Sequence, residues 1–344
     1  MIEVAGKGLD LRNINKAELI ARVAELSAPI YGGEEVNLKL GSQGKSNKPE
    51  YALDARALGS IYAGRINIIV NEDGVGVKTQ APMYATKGDV VISSRGKVYL
   101  KDTQAKGDIK ISSTETEIGN KLLAENSINI QNSKLSNKGQ IQANNDIAIT
   151  GNVDSSNLIS TNKNITISGN LINSGKILSK NINTKDLNNS GELYSENLTT
   201  TNLENSNKIN IKENINSSNI LNKTTNSEII SKNLNTGNLD NKGNVKIVNN
   251  VTSQEITNNG KLLVGNIINS QNLTNTSTVQ GRILDIKNKI NSSGKILADN
   301  ITTKDISNSG NISSKAVATQ ELTNSGEIIS NNLSSNNINN SKNI

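Results

Sequence analysis

The sequence predicts an all-β chain wound as a parallel β-helix, a solenoid with about 16–19 residues per coil. Three observations predict it. A short strand-like motif recurs in step along the chain. Apolar residues come every five positions inside each repeat. The composition lacks the aromatics that a compact globule leans on: among 344 residues there is no Trp, Phe, His or Cys, and aromatics make up 2%.

The register is the strongest of these. Gly88-Asp89-Val90-Val91-Ile92 is followed 19 residues on by Gly107-Asp108-Ile109-Lys110-Ile111. Asn126-Ser127-Ile128-Asn129-Ile130 and Asn145-Asp146-Ile147-Ala148-Ile149 come next at the same step, and Lys163-Asn164-Ile165-Thr166-Ile167 follows 18 residues later. The period then shortens. Gly175, Gly191 and Asn207 are 16 apart, Gly243, Gly260, Ser277 and Gly294 step by 17, and Gly310, Gly326 and Lys342 step by 16. The interval 207–227 is longer, around Asn222-Lys223-Thr224-Thr225, and reads as a loop inserted into one repeat. Periods of this size mean stacked units.

Within one unit the apolar residues are Ile177, Ile182 and Leu187, and in the next Leu193, Leu198 and Leu203. A spacing of five fits neither a helix nor one long alternating strand. It fits three short strands per coil separated by bends, with Gly and Asn at the boundaries supplying positive φ. One coil cannot bury its apolar face, but a stack can. From 151 to 344 there are 46 Asn in 194 residues. Asn at matching positions of successive coils can join in side-chain amide ladders, which gives that excess a structural role.

The first 87 residues are less regular. Asn15 to Leu26 has helix-like spacing at Leu19, Val23 and Leu26, and we expect a short helical turn there, leading into a β coil. Val36-Asn37-Leu38-Lys39-Leu40 and Ile66-Asn67-Ile68 alternate like strands. The composition changes near residue 95: all three prolines and five of the six arginines precede or reach it. The domain reading is therefore 1–95 and 96–344.

The chemistry expected of these residues is sparse. Without His or Cys the commonest general base, thiol nucleophiles and most zinc sites are missing. The paired carboxylates Glu34-Glu35 and Glu72-Asp73 and the scattered acids Asp186, Glu192, Glu204, Glu228 and Asp240 raise the question of a β-helical sugar-cleaving enzyme. Catalytic acids there would cluster on one outer face, so no enzyme activity, catalytic residue, metal or cofactor is expected. Glu72-Asp73-Gly74 reads as a turn. Lys87-Gly88-Asp89 and Lys106-Gly107-Asp108 resemble short integrin ligands, yet both sit at one phase of the repeat and read as turns. Gly74-x-Gly76 lacks the third glycine and the helix of a dinucleotide site. Sequons such as Asn197-Leu198-Thr199 are expected by chance. The net charge of +6 comes from 37 bases interleaved with 31 acids, without a dense basic tract, so nucleic acid is not an expected partner. The start, MIEVAGKGLD, shows no signal peptide, and the longest aliphatic stretch, 66–70, is too short for a bilayer.

Ala57-Leu58-Gly59-Ser60-Ile61-Tyr62-Ala63-Gly64-Arg65-Ile66, followed by Asn71-Glu72-Asp73-Gly74-Val75-Gly76-Val77, resembles the filamentous haemagglutinin family, in the C-terminal part of its secretion domain. Gly6 to Asp10 and Leu26 to Gly32 fit the same pattern, and the resemblance covers about residues 1–95. The 19-residue units beyond resemble haemagglutinin repeats. The resemblance implies a large exoprotein of a two-partner secretion system in Gram-negative bacteria, exported through an outer-membrane β-barrel transporter. It implies a right-handed β-helical fibre at the cell surface that serves as an adhesin in attachment or biofilm, with a surface receptor or glycan as partner. The alternative it carries is the stalk of a contact-dependent toxin. The chain departs from the family in having no Asn-Pro, and on that ground it reads as starting midway through the domain, with the N-terminal cap truncated, and as not exported by itself.

Overall fold

The computed structural model describes residues 1–43 and 46–342. Among them there is no helix, and so none long and apolar enough to cross a membrane. The chain divides into two compact units, Met1–Thr184 and Lys185–Ile344. Each is a parallel β-solenoid.

In the first unit the repeat motif stacks as its spacing predicts. Val90, Ile109, Ile128, Ile147 and Ile165 are register partners on successive parallel strands. The same column continues back through Ile66, Val36 and Ala17. The N-terminal residues are therefore ordinary coils of the same stack, at intervals of 19, 30 and 24 residues. The loop after Leu40 lengthens the longest of them.

The helical turn expected over Asn15 to Leu26 is not there. Lys16–Ala21 and Ala24–Leu26 are strands. Ala17 and Leu19 lie over Val36 and Leu38, and Ala24 and Leu26 pair with Leu53 and Ala55. Backbone pairing to the next coil outweighs a local helical spacing that could bury only one narrow stripe. Ile20 turns outward, 68% exposed.

The second unit shows the five-residue spacing as three aliphatic columns. Leu193, Ile209, Ile229, Val245 and Leu262 stack in the first. Leu198, Ile215, Leu234, Val251 and Ile268 form the second. Leu203, Ile220, Leu239, Ile256 and Leu273 form the third. All fifteen are buried. Each fully buried Leu or Ile contributes about 1.5–3 kcal/mol relative to exposure. The interval 207–227 does hold an insertion. Six steps separate Asn222 from Glu228, where three separate Asn205 from Lys208 at the same corner. Ser227 Oγ donates to Thr224 O at 2.6 Å and closes the added loop.

The corner between the third column and the next coil is held by asparagine. Asn189, Asn205, Asn222, Asn241, Asn258 and Asn275 are buried. Each Nδ2 donates to the Oδ1 of the next at 2.8–3.0 Å. The ladder passes to Ser292 Oγ at 3.2 Å, and Asn308, Asn324 and Asn340 repeat it. Ser and Thr hydroxyls line a second corner: Thr236, Ser253 and Ser270 each donate to a carbonyl two residues on at 2.9–3.0 Å.

The boundary glycines act differently from the expectation of positive φ. Among the described residues, left-handed glycines are Gly6, Gly8, Gly41, Gly74 and Gly151. Gly260, Gly294, Gly310 and Gly326 have ordinary backbones. They are small because the coil below is close: a Cβ on Gly310 would lie 2.1 Å from Gly294 O. The asparagines at these corners likewise supply amides rather than left-handed turns.

Candidate functional site

The outward positions of each coil also stack in columns, and that arrangement decides what the acids can do. Glu34 lies in the exposed bend before the strand Glu35–Leu40, and Glu35 opens that strand half-buried, so the two are held by different partners. Glu34 pairs with Lys87. Glu35 accepts from Asn37 Nδ2 at 2.8 Å and pairs with Lys16 at 3.3 Å. The hydrogen bond from Asn37 holds its carboxyl below the usual range, aided by Lys16.

Glu72 and Asp73 separate in the same way. Asp73 is exposed and meets Arg95 at 2.8 Å. Glu72 is 1% exposed, accepts from Arg22 at 2.8 Å, and accepts the Ser42 N–H at 3.0 Å. Arg22, then the Ser42 amide, keeps this carboxyl low. Val75 N–H donates back to Glu72 O at 3.2 Å, with Gly74 at φ 78°, so this segment is the turn that the sequence suggests. Gly76 opens a strand, not a helix.

The acids of the second unit sort into columns that spacing alone had left scattered. Asp186 accepts from Asn202 at 2.6 Å. Glu192 and Glu228 share a column with Lys208 between them. Glu204 and Asp240 share another with Leu221 between them. Glu204 pairs with Lys223 at 2.6 Å, and Asp240 leaves one carboxylate oxygen without a partner. A general acid needs a raised pKa. Glu35, Glu72, Glu117 and Glu213 are all shifted down, Glu117 by Lys138 foremost and Glu213 by Lys232 foremost. Among the described residues, no group of three or more Asp and Glu could hold a metal ion.

Both Lys-Gly-Asp tripeptides are engaged within the stack. Asp89 Oδ1 accepts the Asp108 N–H at 2.8 Å, and Asp108 Oδ1 accepts the Ser127 N–H at 3.1 Å. Asp146 does the same for Asn164 at 3.1 Å. Lys110 bridges Asp89 and Asp108 at 3.3 and 3.0 Å. Burial acts to raise the Asp108 carboxyl, and Lys110 with the Ser127 amide outweighs it, leaving it low. Lys87 and Lys106 are paired with Glu34 and Glu125. Asn197 belongs to an outer amide ladder, accepting from Asn214 at 3.1 Å.

Two features escaped the sequence. The Arg22–Glu72 clamp joins residues 50 apart, with no local signal. The other is an aromatic column on the outer face of the first unit. Tyr31, Tyr62 and Tyr84 are register partners. The first two rings stack with centroids 5.6 Å apart at 13°, and Arg12 lies 5.6 Å from the Tyr31 centroid. The column continues through Gln104, Leu123 and Gln142, where a shallow trough of roughly 400 Å³ opens on the surface.

About a third of the chain is similar to short stretches of much longer proteins. No family model matches, and no solved structure matches. A toxin CdiA of Escherichia coli is 32% identical over 129 residues, 34% of this chain and 4% of the relative. A tRNA nuclease CdiA of Yersinia mollaretii is 30% identical over 141 residues, 38% of this chain and 5% of the relative. A 16S rRNA endonuclease CdiA of Enterobacter cloacae is 29% identical over 129 residues, 34% of this chain and 4% of the relative. The chain thus spans about one twentieth of the length of these relatives, and it is similar to a short stretch of each.

Proposed function

We propose that the chain is a structural and adhesive segment of a large bacterial exoprotein, exported by two-partner secretion and displayed at the cell surface. Residues 1–95 belong in this reading to the secretion domain and 96–344 to haemagglutinin-type repeats. The full-length protein would pass an outer-membrane β-barrel transporter and meet a receptor or glycan on a host or bacterial surface. The observation that carries the reading is the repeat itself. The aliphatic columns and the buried asparagine ladder invest nearly every inward residue in stacking, which leaves function to the outward columns. Similarity to the CdiA proteins supports the exoprotein class.

Those names also favour a second reading, in which the segment is the stalk of a contact-dependent toxin. Beads coated with the purified chain separate the two. Saturable attachment to epithelial or bacterial cells supports the adhesive segment. No attachment, with a contiguous reading frame that encodes a nuclease module, supports the stalk.

A further inference from the structure

Asparagine is abundant in this chain, but it stands directly before glycine only at Asn259-Gly260. The pair forms the bend between the strands Glu255–Asn258 and Lys261–Val264. Asn259 is exposed, whereas Asn258 beside it is buried in the ladder. Thr276, at the same corner one coil on, donates its hydroxyl to Asn259 Oδ1 at 2.7 Å. The Asn259 Nδ2 has no partner among the described residues. The Gly260 N–H is also unheld. At matching corners the N–H groups of Gly243, Gly310 and Gly326 donate to Asn241, Asn308 and Asn324 Oδ1 at 3.1–3.2 Å. Among the described residues no acceptor takes that of Gly260.

We propose that Asn259 is a site of spontaneous deamidation, through a cyclic imide formed with the nitrogen of Gly260. The proposal is independent of the adhesive reading. The Gly260 nitrogen gives its proton to water and bonds to Asn259 Cγ. The charge that develops on Oδ1 is met by the Thr276 hydroxyl, which acts as an oxyanion donor. The Cγ–Nδ2 bond then breaks, and the nitrogen leaves as ammonia after taking a proton from water. Water opens the imide at either carbonyl and yields aspartate or its isomer with Cγ in the main chain. Overall, water enters and ammonia leaves, with no redox change. Glycine serves the site twice. It presents a nucleophile that no side chain crowds, and it fits a corner where a Cβ would lie 2.2 Å from Gly243 O. The new carboxylate arises one coil from Lys242, which is exposed at the same corner.

The same chemistry is blocked elsewhere. Asp73-Gly74 is the one other acid or amide directly before glycine. There the Gly74 N–H donates to Arg95 O at 3.1 Å, and the Asp73 carboxylate meets Arg95 at 2.8 Å. Asn205, Asn308 and Asn324 precede serine, and their amides are buried and bonded in the ladder.

Incubation of the whole folded chain in mildly alkaline buffer, followed by digestion and mass spectrometry, reads the conversion at each asparagine. Isoaspartate-specific methylation identifies the isomer. Conversion at Asn259 should exceed that at Asn205, Asn308 and Asn324 by at least about tenfold, since those amides must first give up buried hydrogen bonds. Thr276→Val, which keeps the shape and removes the donor, should slow it about two- to tenfold, and Thr276→Ser should restore it. Three results would each overturn the proposal. One is an intact Asn259 in the folded chain under conditions that convert it in the guanidinium-unfolded chain. Another is conversion of the ladder asparagines at the same rate. The third is a Thr276→Val rate equal to or above that of the parent.

Discussion

Truncating Asn241 to alanine removes one rung of the buried ladder, and the structure fixes what is lost. Its Oδ1 accepts from Asn222 Nδ2 at 2.8 Å and from the Gly243 N–H at 3.1 Å. Its Nδ2 donates to Asn258 Oδ1 at 2.8 Å and to Lys261 O at 3.2 Å. Four hydrogen bonds disappear from a site closed to water. At about 0.5–1.5 kcal/mol net for each, the range is roughly 2–6 kcal/mol. Asn222 Nδ2 retains longer contacts to Ser227 O and Asn244 O, both at 3.4 Å. That places the expected loss near the lower half, about 3 kcal/mol. Asn241→Ser should cost about half as much. The reason is Ser292, which fills a ladder position natively, accepting from Asn275 at 3.2 Å and donating to Gly294 O at 3.4 Å. The control is Asn219→Ala. Asn219 makes two equally short ladder bonds, at 2.8 and 2.7 Å, but is exposed, so water replaces them and the cost stays below about 0.5 kcal/mol. Urea unfolding gives the totals. Hydrogen exchange at the amides of residues 239–245 gives the local effect, because solenoids open coil by coil. If the buried and exposed variants cost the same, the ladder owes its contribution to something other than buried amide pairing, and the reasoning fails.

Other outcomes follow from particular sites. Thr103 stands in a column between Met83 and Leu122, and its hydroxyl is buried without a partner. Thr103→Val keeps the shape and should stabilise the first unit by about 1 kcal/mol, seen as a higher melting temperature. Gly310→Ala drives a methyl group against the carbonyl of Gly294 and should cost about 1–3 kcal/mol by urea unfolding. Glu72 has a folded pKa below its ordinary value of 4.5, so its contribution is present above that pH and is lost as the pH falls through the lower folded value. Protection of the amides of residues 71–76, taken relative to the intrinsic exchange rate at each pH, should therefore fall in acid, and Glu72→Gln should flatten that dependence; an unchanged protection profile would rule out the Arg22 clamp as its cause.

The stacked repeats were legible because nothing interrupts them. From Val90 to Ile165 one motif falls on one column at nearly constant step, and the five-residue spacing names the three columns of the second unit. The amide ladder was legible too, since Asn recurs at a single phase. The N-terminal coils were hidden by insertions. Ala17, Val36, Ile66 and Val90 share a column, but unequal loops erase their period. Without it, Leu19, Val23 and Leu26 imitate a helix. The tyrosine column was hidden by the same loops. The boundary glycines were found but explained wrongly: a close carbonyl one coil away is invisible to local backbone preference. The acid columns needed register to appear, because Glu192 and Glu228 become column mates only once Lys208 is placed between them.

The central claim is that sequence advances one strand spacing per coil. The cysteine-free chain allows spin labels to be placed at will. Thr199, Asn216, Asn235, Thr252, Asn269, Asp285, Thr302, Ala318 and Ser334 form one outward column of eight steps. Electron–electron distances between labels at Thr199→Cys and, in turn, Thr252→Cys, Asp285→Cys and Ser334→Cys should rise linearly to about 14, 24 and 38 Å. A broad distribution near 60–70 Å for the widest pair, as roughly 5–6 Å times the square root of chain length gives for a flexible coil, would contradict the stack.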